Sequence, residues 1–267
     1  MSRPDHRKRA ASDILEAGGK LAAQQILVFL RITALLTLPL GLLFGAAVVW
    51  FENSSGSKHL AIGALVVVAV VYAFVIMVSG AACLKVAADA YSDAKPSARA
   101  AIELVLRRLG PVVGLTTLLV LGVAPAIAVL VLPGVIAIGN YAIVLLGLAL
   151  ASLWFSGTFA AALPAMLLEE KGIRDSLRRS ARLARRGFFR ALGTVVLGGI
   201  LALFAGVLVA IVVSVFSFGG GNVLLIVALI GIALGELFVA PLFVAFLVVL
   251  YFDLRAREQA SRVEQTS

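Results

Sequence analysis

The 267-residue chain is 62% hydrophobic and only 14% charged, with a mean hydropathy of +1.09; average soluble domains are roughly half apolar and about a quarter charged, so a water-soluble globule is excluded and a polytopic all-α membrane protein is the class that fits. The net charge of +9 would suggest nucleic acid in a soluble chain. Here the cations cluster beside long apolar runs, so membrane lipids with anionic headgroups are the expected counter-charge and no nucleic-acid partner is expected.

Residues 1–25 read as a basic tail, with Arg3, Arg7, Lys8 and Arg9, followed by a short interfacial helix over Ser12–Gln25. Ser12 or Asp13 is placed to cap that helix, and Glu16–Lys20 is an i,i+4 pair. The tail lacks a short apolar core ending in a small-residue cleavage site, so it reads as uncleaved and cytoplasmic. Span 1 is expected at about 26–51. Arg31, an intramembrane ionisable residue, reads as a cation snorkelling to the inner interface. Pro39 is tolerable inside the span because neighbouring helices can satisfy the freed carbonyl, and Trp50–Phe51 falls where an aromatic belt would lie.

Span 2 is expected at about 60–84, with Lys85 marking its inner end. Cys83, the single cysteine, sits inside this apolar run as a small buried hydrophobe. With only His6 and His59 as histidines, the chain offers no disulfide, no metal site, no cofactor site and no catalytic constellation. Residues 92–109 read as a loop and an amphipathic helix capped by Ser97. Ala98, Ile102, Val105 and Leu109 share one face; Arg99, Glu103 and Arg107 share another. Spans 3 and 4 follow at about 111–132 and 135–163, joined by a tight Pro133–Gly134 turn, and Pro164 marks the exit.

Glu169–Arg190 is the largest charged island, with eight of the 23 Lys and Arg residues. Helical spacing puts Ile173, Leu177, Ala184 and Phe188 on one face and Arg174, Arg178, Arg182 and Arg185 on another, with Glu170–Arg174 and Asp175–Arg179 as i,i+4 pairs. Such a face is either a solvated basic loop obeying the positive-inside rule or a docking surface for phosphate-bearing lipid or an acidic partner. Spans 5 and 6 are expected at about 191–216 and 223–252. Glu236, near the middle of the last, is a second intramembrane ionisable group, and residues 253–267 read as a polar C-terminal tail.

Every Lys and Arg except Lys58 falls on one side of this six-span arrangement. The Lys/Arg bias of short loops sets orientation, so both termini are expected in the cytoplasm of a multi-pass protein in the cytoplasmic membrane. A basic amphipathic segment followed by two spans occurs three times, a parallel repeat. Gly41/Gly45, Gly110/Gly114 and Gly231/Gly235 are small-xxx-small pairs suited to close helix approach.

Pro164-Ala165, Leu168-Glu169, Lys171-Gly172, Leu177, Arg179-Ser180, Leu183, Arg186-Gly187-Phe188-Phe189-Arg190 and Leu192-Gly193 form one motif; Pro241 followed by Leu250-Tyr251-Phe252-Asp253-Leu254-Arg255 and Arg257-Glu258 forms another. Together they resemble the bacterial membrane-domain family named after glycerophosphoryl diester phosphodiesterases. The resemblance covers the second half of the chain closely and the first by architecture. It implies a six-helix membrane module, and not the soluble phosphodiesterase barrel, which needs about 250 residues of its own.

The expected function is a non-enzymatic membrane protein that scaffolds a partner, which a second copy could be, or that interacts with anionic lipid. The candidate binding residues are Arg174, Arg178, Arg179, Arg182, Arg185, Arg186, Arg190, Asp253 and Arg255. Asp253, just past Tyr251–Phe252 at headgroup depth, is expected to pair with an arginine of the island, Arg190 being the candidate. The alternative is a proton-coupled or small-solute transporter using Glu236, whose carboxyl would be raised by desolvation.

Overall fold

The computed structural model describes residues 11–53, 58–131, 142–185, 187–216, 241–261 and 263. Every regular element among them is an α-helix. They are α1 (Ala11–Gln24), α2 (Ile26–Asn53), α3 (Lys58–Tyr91), α4 (Ala98–Arg107), α5 (Leu109–Val131), α6 (Ala142–Phe159), α7 (Ala162–Leu168), α8 (Ile173–Arg185), α9 (Phe188–Phe216) and a final helix, α10, over 241–261. Three stretches are long and apolar enough to cross a membrane: Ile26–Ala47, Ile62–Tyr91 and Gly147–Leu168. The bent pair Ala98–Arg107 and Leu109–Gly122 makes a fourth if counted as one span. The expected sixth span falls largely on 223–240, outside the described residues, as do Gly231/Gly235 and Glu236.

The chain divides into two compact units. One comprises the described residues of Gly19–Arg107 and Gly199–Ala245. In it α2 packs along α3, and α4 lies against both. Phe44 and Tyr72 stack between the two long helices at 5.7 Å. Outward-facing Leu35, Leu42, Val66, Val67 and Val70 are exposed, the pattern of helices solvated by lipid and not water. Hydroxyls inside α2 are satisfied within the helix: Thr33 donates to the Phe29 carbonyl at 2.8 Å and Thr37 to the Thr33 carbonyl at 2.6 Å.

Several boundaries differ from expectation. Past Lys85, the expected inner end of span 2, α3 continues as helix to Tyr91, and Lys85 pairs with Asp89 one turn on. The α1 helix begins at Ala11, so Ser12 and Asp13 lie inside its first turn; Ser12 faces the Asp13 carboxylate instead of capping. In α4 the Ser97 cap is present, its Oγ accepting from the Ala100 N–H at 3.4 Å. Ala101 and Val105 are the residues α4 buries, and Arg99 and Glu103 pair on its exposed side.

The other unit comprises the described residues of Met1–Gly18, Arg108–Gly198 and Phe246–Ser267. Here α5 packs along α6, and α8 packs against α6 and α7. Gly122 admits the Phe155 ring, which would lie 2.1 Å from a Cβ at that position, and Gly157 admits Phe188 and Leu192. Of the small-residue pair Gly110/Gly114, only Gly114 has a close neighbour, the Ile173 Cδ1.

Pro164, the expected exit of span 4, lies inside a helix. The helix breaks at residues 160–161 and resumes as α7, with Pro164 in its first turn, where a missing N–H costs no intrahelical bond. The final helix α10 runs without a break from 241 to 261, so the first part of the polar tail expected over 253–267 is helical.

Candidate functional site

The functional candidates converge at one end of the second unit, where α7, α8 and α10 meet. Glu169 caps the C-terminus of α7, its own N–H donating to the Ala165 carbonyl at 3.0 Å. Its carboxylate accepts three side-chain hydrogen bonds: from Lys171 at 2.5 Å, from Arg179 Nε at 3.0 Å and from the Tyr251 hydroxyl at 2.6 Å. Arg179 also donates through Nη1 to Glu258. Two carboxylates thus face two cations, and the side chain of Arg179, only 11% exposed, bridges both acids. Burial alone would raise the Glu169 carboxyl, but the bonds from Lys171, Tyr251 and Arg179 outweigh it and hold its pKa at about 2. Arg179 is likewise partly desolvated, and the two carboxylates more than offset this, keeping it firmly protonated.

A second cluster lies nearby on α10. Asp253 accepts from Arg257 Nε at 2.8 Å, and Arg190 Nη1 stands 3.5 Å from the same Asp253 oxygen. The expected Arg190–Asp253 pairing is therefore present, joining the start of α9 to α10. A third pair, Arg108–Glu170 at 2.8 Å, ties the chain before α5 to the loop after α7. Glu170 sits at φ 54, a left-handed conformation unusual for glutamate.

Two sequence-level pairings are replaced. Glu170 precedes α8 and meets Arg108, not Arg174; Arg179 turns to Glu169 and Glu258, not Asp175. The buried face of α8 is also rotated from the expected one. It consists of Ser176, Ser180, Leu183 and Ala184. Ser176 Oγ donates to the Gly172 carbonyl at 2.7 Å and Ser180 Oγ to the Thr158 carbonyl at 2.8 Å, the latter sewing α8 to α6. Tyr251 does not lie in an aromatic belt: it is fully buried, with its hydroxyl on Glu169.

The arginines of the island separate into two sets. Arg179 and Arg190 are held by acids. Arg174, Arg178, Arg182 and Arg185 are exposed on α8. Arg255 is half-buried on α10, and Arg31 is exposed on α2. Arg186 and Glu236 lie outside the described residues. Glu169, Lys171, Arg257 and Glu258 are functional candidates that residue-type reasoning passes over. All four stand inside the motif stretches, but Glu258 has several arginines within four residues, and Glu169 meets Arg179 ten residues on, so neither partner follows from spacing alone.

Residues 135–266 match the family model described as the membrane domain of glycerophosphoryl diester phosphodiesterase. That segment contains both acid–arginine clusters, while Arg108 of the third pair lies outside it. No curated protein and no solved structure matches the chain.

Proposed function

We propose that this chain, whose second half matches the membrane-domain model of that family, works as a non-enzymatic module of the bacterial cytoplasmic membrane, with its termini inside. In this reading it presents a basic face to anionic lipid or to a partner protein. The match is to the membrane domain and not to a catalytic domain, and three apolar helices of spanning length accompany it. The observation that carries the reading is the division of the arginine island: one set locked to acids within the fold, the other left facing outward along α8.

Purification of the full chain in mild detergent tests it. An anionic phospholipid or a single protein should remain bound at a fixed ratio, with no hydrolysis of glycerophosphodiesters. Turnover of such a diester by the pure protein would overturn the non-enzymatic reading. Flux in proteoliposomes that depends on pH and is lost in Glu236→Gln would replace it with a carrier.

A further inference from the structure

Four features of α8 point to one kind of ligand. First, Arg174, Arg178, Arg182 and Arg185 are exposed, and at about 100° per residue they fall within an arc of about 80°, opposite the buried Ser176–Ser180–Leu183–Ala184 stripe. Second, they span about 16 Å along the helix, wide enough for more than one phosphate. Third, all four are arginine; the single lysine of the segment, Lys171, is used inside the fold. Guanidinium binds phosphate oxygens two at a time, which an ammonium cannot do. Asp175 is the acid at the margin of this arc and is also exposed.

Fourth, the chain passes from this face into an apolar helix. Phe189 follows Arg185 by four residues and is 85% exposed. Its neighbour Phe188 turns inward against Gly157, so the pair splits between core and surface. Leu197, two turns further along α9, is also exposed. Arginines followed by an outward aromatic and an apolar helix face match the order of a bilayer, from headgroup to acyl chain. A water-borne acidic protein would have to cover that apolar face as well.

We propose that Arg174, Arg178, Arg182 and Arg185, with Phe189 as an aromatic anchor, form a docking surface for the phosphate headgroups of anionic phospholipids. This rests on the membrane-module reading and deepens it by naming the partner. The arginines do more than set orientation: they select phosphate through paired N–H donation.

The test uses full-length protein reconstituted in bilayers of phosphatidylcholine and phosphatidylglycerol, then extracted in mild detergent and analysed for retained lipid. Wild type should enrich phosphatidylglycerol about tenfold over its bulk share. The quadruple variant Arg174→Lys, Arg178→Lys, Arg182→Lys and Arg185→Lys keeps the net charge and the orienting cations, yet should lose about threefold or more of that enrichment. Wild-type enrichment in this variant would overturn the proposal. So would an acidic protein retained by wild type and lost in the variant while lipid selection stays unchanged. If the quadruple variant fails to fold, Arg178→Lys and Arg182→Lys singly should each give a partial loss. Phe189→Ala should weaken retention of both lipids alike. The membrane-module reading fails separately, if a cysteine introduced at Arg182 is labelled from outside intact cells.

Discussion

Arg179 and Glu258 stand 79 residues apart in the chain and meet side chain to side chain, each nearly buried. Through Arg179, the C-terminal helix is joined to Glu169 and so to the end of α7. Removing Arg179 takes from both Glu169 and Glu258 the cation they share, and leaves Glu169 with Lys171. Arg179→Met should therefore destabilise the protein by about 3–5 kcal/mol, as breaking a buried ion pair does. Glu258→Gln should cost less, because Arg179 keeps Glu169. Thermal unfolding in detergent checks both. The double variant should show a coupling energy of about 1 kcal/mol or more, the mark of residues in direct contact.

Glu169 gives the fold a defined acid limit. Its carboxyl is held at about 2, against an ordinary value of 4.5. Its charge therefore adds stability that is complete above about pH 4.5 and lost as pH falls toward 2, where the unfolded chain binds a proton before the folded one does. Melting temperature measured from pH 6 down to pH 3 should fall more steeply in wild type than in Glu169→Gln, which is less stable at neutral pH. Tyr251→Phe removes one donor and so raises the folded-state pKa of Glu169; the decline should start at the same pH but be smaller and end at higher pH, with a cost of about 1–2 kcal/mol at neutrality.

Two glycines differ in what surrounds them. A Cβ at Gly122 would lie 2.1–2.5 Å from three atoms of the Phe155 ring, while one at Gly110 would meet nothing within 4 Å. Gly122→Ala should cost about 1–3 kcal/mol through overpacking. Gly110→Ala should be neutral or stabilising by up to about 1 kcal/mol, from helix propensity. Melting temperatures of the pair test whether close approach, and not glycine content, holds α5 to α6.

Glu170 presents a choice between backbone and side chain. Its φ of 54 favours glycine, while its carboxylate pairs with Arg108. The carboxylate side is 67% exposed, and exposed pairs contribute about 0–1 kcal/mol. Relief of the left-handed penalty, about 1 kcal/mol, should offset the lost pair. Glu170→Gly is expected to unfold within about 1 kcal/mol of wild type, and Glu170→Val, branched at Cβ, to be clearly less stable by the same assay.

What could be read before the helices were placed was what depends on local pattern. The helical class, the apolar stretches that begin near residues 26, 60 and 111, and the Ser97 cap follow from hydropathy and capping chemistry. That Asp253 would meet an arginine of the island was legible because few acids lie just past the last apolar run; that the arginine is Arg190 follows only from the packing of α9 on α10. The buried face of α8 was not, because a count of apolar residues ignores serine, and Ser176 and Ser180 are buried with their hydroxyls satisfied by carbonyls. Tyr251 misleads for a related reason. A tyrosine next to charged residues at the end of an apolar run suits an interfacial belt and a buried hydrogen bond equally well. Only the position of Glu169 decides between them. Arg179 has one acid at helical spacing, Asp175, which a local rule selects, and its two actual partners come from other elements, which no local rule can supply.

From Val78 to Ala88 nearly every side chain of α3 is enclosed, Cys83 among them with no exposed surface. The chain carries a single thiol, and in the folded state it is walled in. Reaction with a maleimide therefore counts molecules in which α3 has opened, one adduct per opened chain. Introduced surface cysteines can meanwhile be labelled in the folded protein without first deleting the native one.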